Sequence, residues 1–127
     1  MIVVDASAAV SALLNAGPAR RALASGQLHV PHLIDPEIAN AVRGRVSAGA
    51  LPVSTGWLVL ESWRRMGMTR YAAFSMLDRI WQLRDNLTAY DASYVALAEL
   101  LGCALLTADG RIGCAPGVRC AVTVVPA

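Results

Sequence analysis

Short apolar runs alternate with longer segments in which apolar residues recur at helical spacing. Ile2-Val3-Val4 and Cys103-Ala104-Leu105-Leu106 are uninterrupted apolar runs of strand length, the pattern of strands buried on both faces. Leu28 to Val30 and Cys120 to Val125 read as further strands, and the break from Gly67 to Tyr71 admits a short one. Six helices are predicted between them: Ser7 to Asn15, Pro18 to Ser25, Pro36 to Ala48, Ser54 to Arg65, Ala73 to Arg84 and Ala89 to Leu101. Gly17-Pro18, Gly26, Gly49 and Gly102 supply stops, and Asp35 followed by Pro36 reads as N-cap and first position of the third helix. Ser7 reads as the N-cap of the first helix, and Asp109-Gly110 as a turn. Strands separated by helices predict an α/β fold with parallel pairing and right-handed crossovers.

The chain has 127 residues, which fits one domain with one substantial core. Apolar residues make up 56 % and charged residues 16 %, an apolar excess that predicts a protein–protein interface. Leu58, Val59, Leu60 and Trp63, with Tyr71, Phe74 and Trp81, are its candidate residues. They predict a two-fold homodimer and a groove for a partner segment. The longest charge-free stretch, Val46 to Leu60, is 15 residues and contains Gly49, Pro52 and Gly56, whereas a membrane span needs about 20 apolar residues. Without a basic N-terminal region a signal peptide is not expected, so the expected location is the cytoplasm, with no membrane partner. Cys103, Cys114 and Cys120 match no zinc or redox spacing and read as reduced, small core residues.

All eleven basic residues are arginine, and the net charge is only +2. Arginine suits phosphate recognition, but so small a net charge requires a local patch before nucleic-acid binding follows.

Four of the nine acidic residues fall where strands end or helices begin: Asp5, Glu37, Asp91 and Asp109. Each has a plain structural explanation. Asp5 suits a turn, Glu37 a helical first turn, Asp91 a variant capping box after Thr88, and Asp109 a turn before glycine. Taken together they point elsewhere, because ligands of an open parallel sheet bind at the carboxyl ends of its strands. Clustered carboxylates repel one another, and a divalent cation relieves that repulsion; oxygen ligands favour magnesium or manganese. Positions 37, 40 and 44 share a helix face, which directs Glu37 and Asn40 to one site, with Arg43 nearby.

Four blocks carry a family resemblance: Val3-Val4-Asp5-Ala6-Ser7-Ala8, Pro36-Glu37-Ile38-Ala39-Asn40-Ala41-Val42-Arg43, Leu83 to Ala98 around Asp91, and Leu105-Leu106-Thr107-Ala108-Asp109. In this order and chain size they resemble a PIN domain, specifically a VapC-type toxin of a toxin–antitoxin module, over nearly the whole chain. The resemblance implies a three-layer α/β/α domain with a central parallel sheet. It also implies a Mg²⁺- or Mn²⁺-dependent endoribonuclease that forms a homodimer and is inhibited by a cognate VapB-type antitoxin. Asp5, Glu37, Asp91 and Asp109 are its implied catalytic and metal-binding residues. Ser7, Asn40, Thr107 and Arg43 are its implied supporting positions. Gly110-Arg111-Ile112-Gly113 offers no further acidic or amide ligand of the kind that some relatives carry there.

The expected reaction is hydrolysis of an RNA phosphodiester at an unpaired loop, leaving a 5′-phosphate. Arg43 and Arg111 are candidate phosphate contacts, and Ser7 and Thr107 are expected to hold ligands or water in place. His29 and His32 read as structural or surface residues. A phosphatase on a doubly wound fold would want a second aspartate two residues after Asp5, where Ser7 stands. A catalytically silent module that only binds RNA or antitoxin is the other alternative.

Overall fold

A computed structural model describes residues 1–127 as one five-stranded, all-parallel sheet with helices on both faces. The strands are β1 (Ile2–Val4), β2 (Leu28–Pro31), β3 (Met68–Tyr71), β4 (Ala104–Thr107) and β5 (Val122–Val124), in spatial order β3-β2-β1-β4-β5. The helices are α1 (Ala6–Leu14), α2 (Pro18–Ala24), α3 (Ile34–Ser47), α4 (Val53–Arg64), α5 (Leu77–Gln82), α6 (Ala89–Leu101) and α7 (Gly110–Cys114). In register, Val4 pairs with Leu106 and Val3 with Leu105, so β1 and β4 end side by side. The order reverses between these two strands, and the crossovers leave them in opposite directions. This is the switch point at which parallel sheets open a crevice.

Burial explains the short apolar runs. Val3, Val4, Val30, Leu105 and Leu106 are fully enclosed, because helices cover both faces of the sheet. Helices α1 to α4 pack on one another, while α6 lies against β1, β2 and β4 with α5 beside it. The apolar run Ala92 to Ala98 in α6 is buried throughout, which absorbs much of the compositional excess. Gly102 ends α6 in the left-handed region (φ 65°), where a Cβ would be strained.

Several boundaries differ from expectation. Asp5, not Ser7, caps α1: its Oδ1 accepts the Ala8 amide at 3.0 Å. Asp35 does not cap α3, which begins two residues before Pro36. Its carboxylate accepts Arg70 Nε and Nη2 at 2.7 and 2.9 Å and Trp63 Nε1 at 2.7 Å. Pro36 then stands at the third helical position, where its missing N–H is one that the helix leaves unpaired anyway. The helix expected from Ala73 to Arg84 is a 3₁₀ turn, Phe74–Met76, followed by the shorter α5. Helix α7 stands where the sequence predicts only a turn, being too short for a periodic signal; Asp109 caps it through the Arg111 amide. Gly44 faces open space. The close approach of α3 and α4 is at Gly56, where a Cβ would meet Val46 and Val42 at 3.0 and 3.1 Å.

The expected interface residues divide. Trp63 and Val59 belong to the core and Tyr71 is half-buried against His29, whereas Leu58 (64 % exposed), Phe74 (78 %) and Trp81 (67 %) face outward. All three cysteines are free thiols; Cys103 and Cys120 are partly buried, but Cys114 is exposed rather than part of the core. No helix is long and apolar enough to cross a membrane.

Candidate active site

Asp5 stands immediately after β1 and is 4 % exposed. A buried carboxylate needs partners, and three donors converge on it. The Ser7 hydroxyl donates to Oδ1 at 2.6 Å beside the Ala8 amide, and the Thr107 hydroxyl donates to Oδ2 at 2.5 Å. These hydroxyls are themselves fixed by the end of β4. Ser7 Oγ accepts the Ala108 amide at 2.9 Å, and Thr107 Oγ1 accepts the Asp109 amide at 2.9 Å. Two hydroxyl bridges thus join the ends of β1 and β4 through Asp5. Oδ1 carries two donors and Oδ2 only one, so Oδ2 retains an acceptor position.

The other three carboxylates approach from separate elements. Glu37 lies in the first turn of α3, and its Oε1 accepts the hydroxyl of buried Tyr94. Asp91 lies in the first turn of α6, placed by Thr88, whose hydroxyl accepts the Asp91 amide at 3.1 Å. Asp109 follows β4 and holds Arg111, whose Nε and Nη2 donate at 3.0 and 2.8 Å.

The electrostatics link the four in a chain rather than pairwise. Burial pushes the Glu37 carboxyl above its ordinary pKa; the Tyr94 hydroxyl opposes this, and the charges of Asp91 and Asp5 add to it. Burial likewise raises Asp91, reinforced by Asp109 and Asp5. Asp109 is lowered instead, because the Arg111 guanidinium lies against it. The Tyr94 hydroxyl is held firmly in its protonated, donating form, by burial first and by Glu37 second. Neither Glu37 nor Asp91 has an arginine partner.

An all-oxygen set with unrelieved repulsion suits a hard divalent cation. No three His, Cys, Asp or Glu side chains converge tightly enough to cage an ion. A cation held here by one or two carboxylates would keep several waters. Asp5 Oδ2, Glu37 and Asp91 offer free oxygens; Asp109 offers one if Arg111 swings away. The Arg111 side chain is 90 % exposed, so that pair is weak and opens readily.

The supporting positions fare unequally. Ser7 and Thr107 are central, as expected. Asn40 is exposed on α3 one turn from Glu37. Arg43 does not join the acidic group: it lines a groove between α3 and α4 with Val42, Val46, Val53, Trp57 and Leu60. Arg111 is at the site but engaged by Asp109. Tyr94 was not anticipated. Its spacing of three residues from Asp91 on a helix was the available signal.

Comparison with known proteins gives the family of the chain. A family model for the PIN domain matches residues 2–115. The chain is 53 % identical over 126 residues to the ribonuclease VapC9 of Mycobacterium tuberculosis, covering 99 % of both chains. Among solved structures it resembles VapC20 of Mycobacterium tuberculosis, a sarcin–ricin loop cleaving toxin (TM-score 0.68, 16 % identity, 94 % of this chain and 97 % of that one). It also resembles a chain of a toxin–antitoxin complex from Klebsiella pneumoniae (TM-score 0.68, 17 % identity, 100 % of both chains).

Proposed function

Because this chain belongs to the PIN-domain family and, within it, to the VapC ribonucleases, we propose that it is a metal-dependent endoribonuclease toxin of a type II toxin–antitoxin system. The observation that carries this reading is the junction of β1 and β4. Asp5 is held there by Ser7 and Thr107, and its charge acts on both Glu37 and Asp91, on which Asp91 and Asp109 respectively act in turn.

Asp5, Glu37, Asp91 and Asp109 would hold Mg²⁺ or Mn²⁺, with Asp5 presenting Oδ2. The bound ion supplies Lewis acidity that activates water and neutralises charge on the scissile phosphate. The chain's own residues do the rest. Ser7 and Thr107 fix the Asp5 carboxylate so that it does not rotate when substrate arrives. Glu37 or Asp91 accepts the proton of the attacking water. Tyr94 keeps its proton and holds Glu37 Oε1, leaving Oε2 for this work. Arg111, on leaving Asp109, is placed to contact a phosphate oxygen. In-line attack at phosphorus breaks the bond to the 3′ oxygen and leaves a 5′-phosphate. An unpaired RNA loop is the expected substrate, because the bases of an A-form duplex are poorly accessible.

The partners of this reading are a cognate VapB-type antitoxin and a second copy of the chain. The apolar groove between α3 and α4, flanked by exposed Val53, Trp57 and Leu58, supports docking of an antitoxin segment. Exposed Phe74, Leu77 and Trp81 on one side of the 3₁₀ turn and α5 support a homodimer face.

The test is cleavage of cellular RNA by purified, antitoxin-free protein. Cleavage is expected with Mg²⁺ or Mn²⁺, to stop in EDTA, and to yield 5′-phosphate ends within loops. Cleavage that persists in EDTA, or none under any metal, overturns the reading.

A further inference from the structure

The expected phosphate contacts leave a gap. Arg43 faces another groove, and Arg111 is held by Asp109. Most other guanidinium groups are also engaged: Arg70 by Asp35, Arg79 by Glu99, Arg64 and Arg65 by Glu61, Arg20 by carbonyls of α1, and Arg84 over Trp81. Arg21 on α2 and Arg119 just before β5 also form no ion pair. Arg45, on α3, forms none either; its one hydrogen bond is a 3.3 Å contact to the Ala41 carbonyl of its own helix, and it is exposed.

Arg45 lies in a cleft of about 310 Å³ between α1 and α3. The inner end of this cleft is formed by Ser7 and Ala108, the residues whose hydroxyl and amide brace Asp5. From there the cleft runs along both helices. Ser7, Ser11 and Asn15 recur at four-residue spacing on α1. Glu37, Ala41 and Arg45 do the same on α3, so the acidic site and the free guanidinium share one helix face. Glu37 and Arg45 are two turns apart, about 12 Å at 1.5 Å per residue, a span covered by a few nucleotides of extended strand. No Asp or Glu side chain lines the cleft; Ala127 does, and beside it the Pro126 carbonyl accepts the Ser11 hydroxyl at 3.1 Å.

We propose that this cleft is a binding path for the phosphodiester backbone of the RNA strand flanking the scissile bond, with Arg45 as its phosphate anchor. The inference rests on the ribonuclease reading and extends it to how substrate is held. A strand entering a site of four carboxylates is repelled there. A cation two helical turns away offsets that repulsion without neutralising the carboxylates that do the chemistry. Small apolar walls from Val10, Leu14 and Ala41 suit sugar faces, and the Asn15 amide offers a donor at the outer end. An Arg contact here positions substrate independently of base identity.

The experiment compares the parent chain with Arg45→Ala, Arg45→Lys and the remote control Arg64→Ala. A short fluorescein-labelled single-stranded RNA is titrated in EDTA across a salt series, and cleavage kinetics are measured in Mg²⁺. Arg45→Ala is expected to raise Kd and KM about 5- to 10-fold with kcat within about twofold, and to flatten the slope of log Kd against log salt by about 0.7, the value for one phosphate contact on a single strand. Arg45→Lys should keep the parent slope, and Arg64→Ala should match the parent throughout. Parent values of Kd and slope in Arg45→Ala would overturn the proposal. So would a variant that loses affinity for antitoxin while binding RNA as before, which assigns the cleft to a protein partner. A parent chain that binds RNA but cleaves none sinks the ribonuclease reading, and the slope comparison still decides the cleft.

Discussion

Asp35 and Glu37 stand two residues apart in the first turn of α3, and the fold treats them oppositely. Asp35 turns toward β3 and α4, where Arg70 grips both oxygens and the Trp63 indole donates a third bond. Its carboxyl is held below its ordinary pKa, by Arg70 first. Glu37 turns toward β1 and α6, where it meets a tyrosine hydroxyl and two other carboxylates, and burial drives its pKa up. Sequence position is nearly the same, and so is the helix dipole. What differs is the company each side chain keeps. Glu99, paired with Arg79, belongs with Asp35; Asp91 belongs with Glu37. Compensated carboxylates hold elements together, whereas the uncompensated ones are those assigned above to the proposed cation. A carboxyl raised in pKa with no arginine partner therefore marks the candidate site.

The largest test of this contrast is Asp5→Asn. Asparagine caps a helix as well as aspartate does, so α1 should survive. RNA cleavage should fall by on the order of 100-fold or more, as when a metal ligand or its support is lost. Melting temperature in EDTA should hold or rise, because one repelling charge is gone. Metal-dependent cleavage at the parent rate would remove Asp5 from the site.

Asp35→Ala should do the reverse. Cleavage should be intact, while urea denaturation shows a loss of about 1–2 kcal/mol, because Arg70 and the buried Trp63 N–H lose their acceptor and the pair itself is half exposed. An Asp35 variant that is stable yet inactive would erase the distinction between the two residues.

Tyr94→Phe sharpens the comparison from within the site. Loss of the hydroxyl should cost about 1 kcal/mol of stability. It also removes the bond that holds Glu37 down, so the Glu37 pKa should climb further and the acid limb of the cleavage profile should move to higher pH. An unshifted pH profile would make Tyr94 purely structural.

The smallest expected effect is on stability against pH. Glu37 and Asp91 have native pKa values above their unfolded ones, so between those values the native state binds more protons. Metal-free protein should therefore gain melting temperature as pH falls from neutral toward the ordinary carboxylate range of about 4. Asp35, Glu99 and Asp109 are lowered, so their contribution persists until pH falls below the ordinary carboxylate range of about 4. Glu37→Gln should flatten the rise. A melting temperature that declines over the same interval in the parent would contradict the raised values.

Much of the site was legible in the chain. Asp5 and Asp109 follow apolar runs too short for anything but buried strands, and Glu37 and Asp91 lie in first turns of strongly periodic helices. What misled was local chemistry with two outlets. Asp35 before Pro36 has every mark of a helix cap, yet Arg70, 35 residues later, offered a stronger partner. Arg43 was expected near Glu37, but six residues on it lies on another face of α3, where the packing of α4 at Gly56 makes a separate groove.

Taken alone, the amino-acid order determined the alternation of strands and helices, the parallel sheet and the four junction carboxylates. These follow from short-range periodicity, turn residues and apolar runs, which act within a few residues. Only the tertiary structure decided which carboxylates are paired and which repel, that Tyr94 holds Glu37, and that Arg45 rather than Arg43 or Arg111 stands free beside the site. Those facts depend on distances between side chains far apart in the chain. Charge and hydrogen bonding act through space, and the side-by-side ends of β1 and β4 set that space.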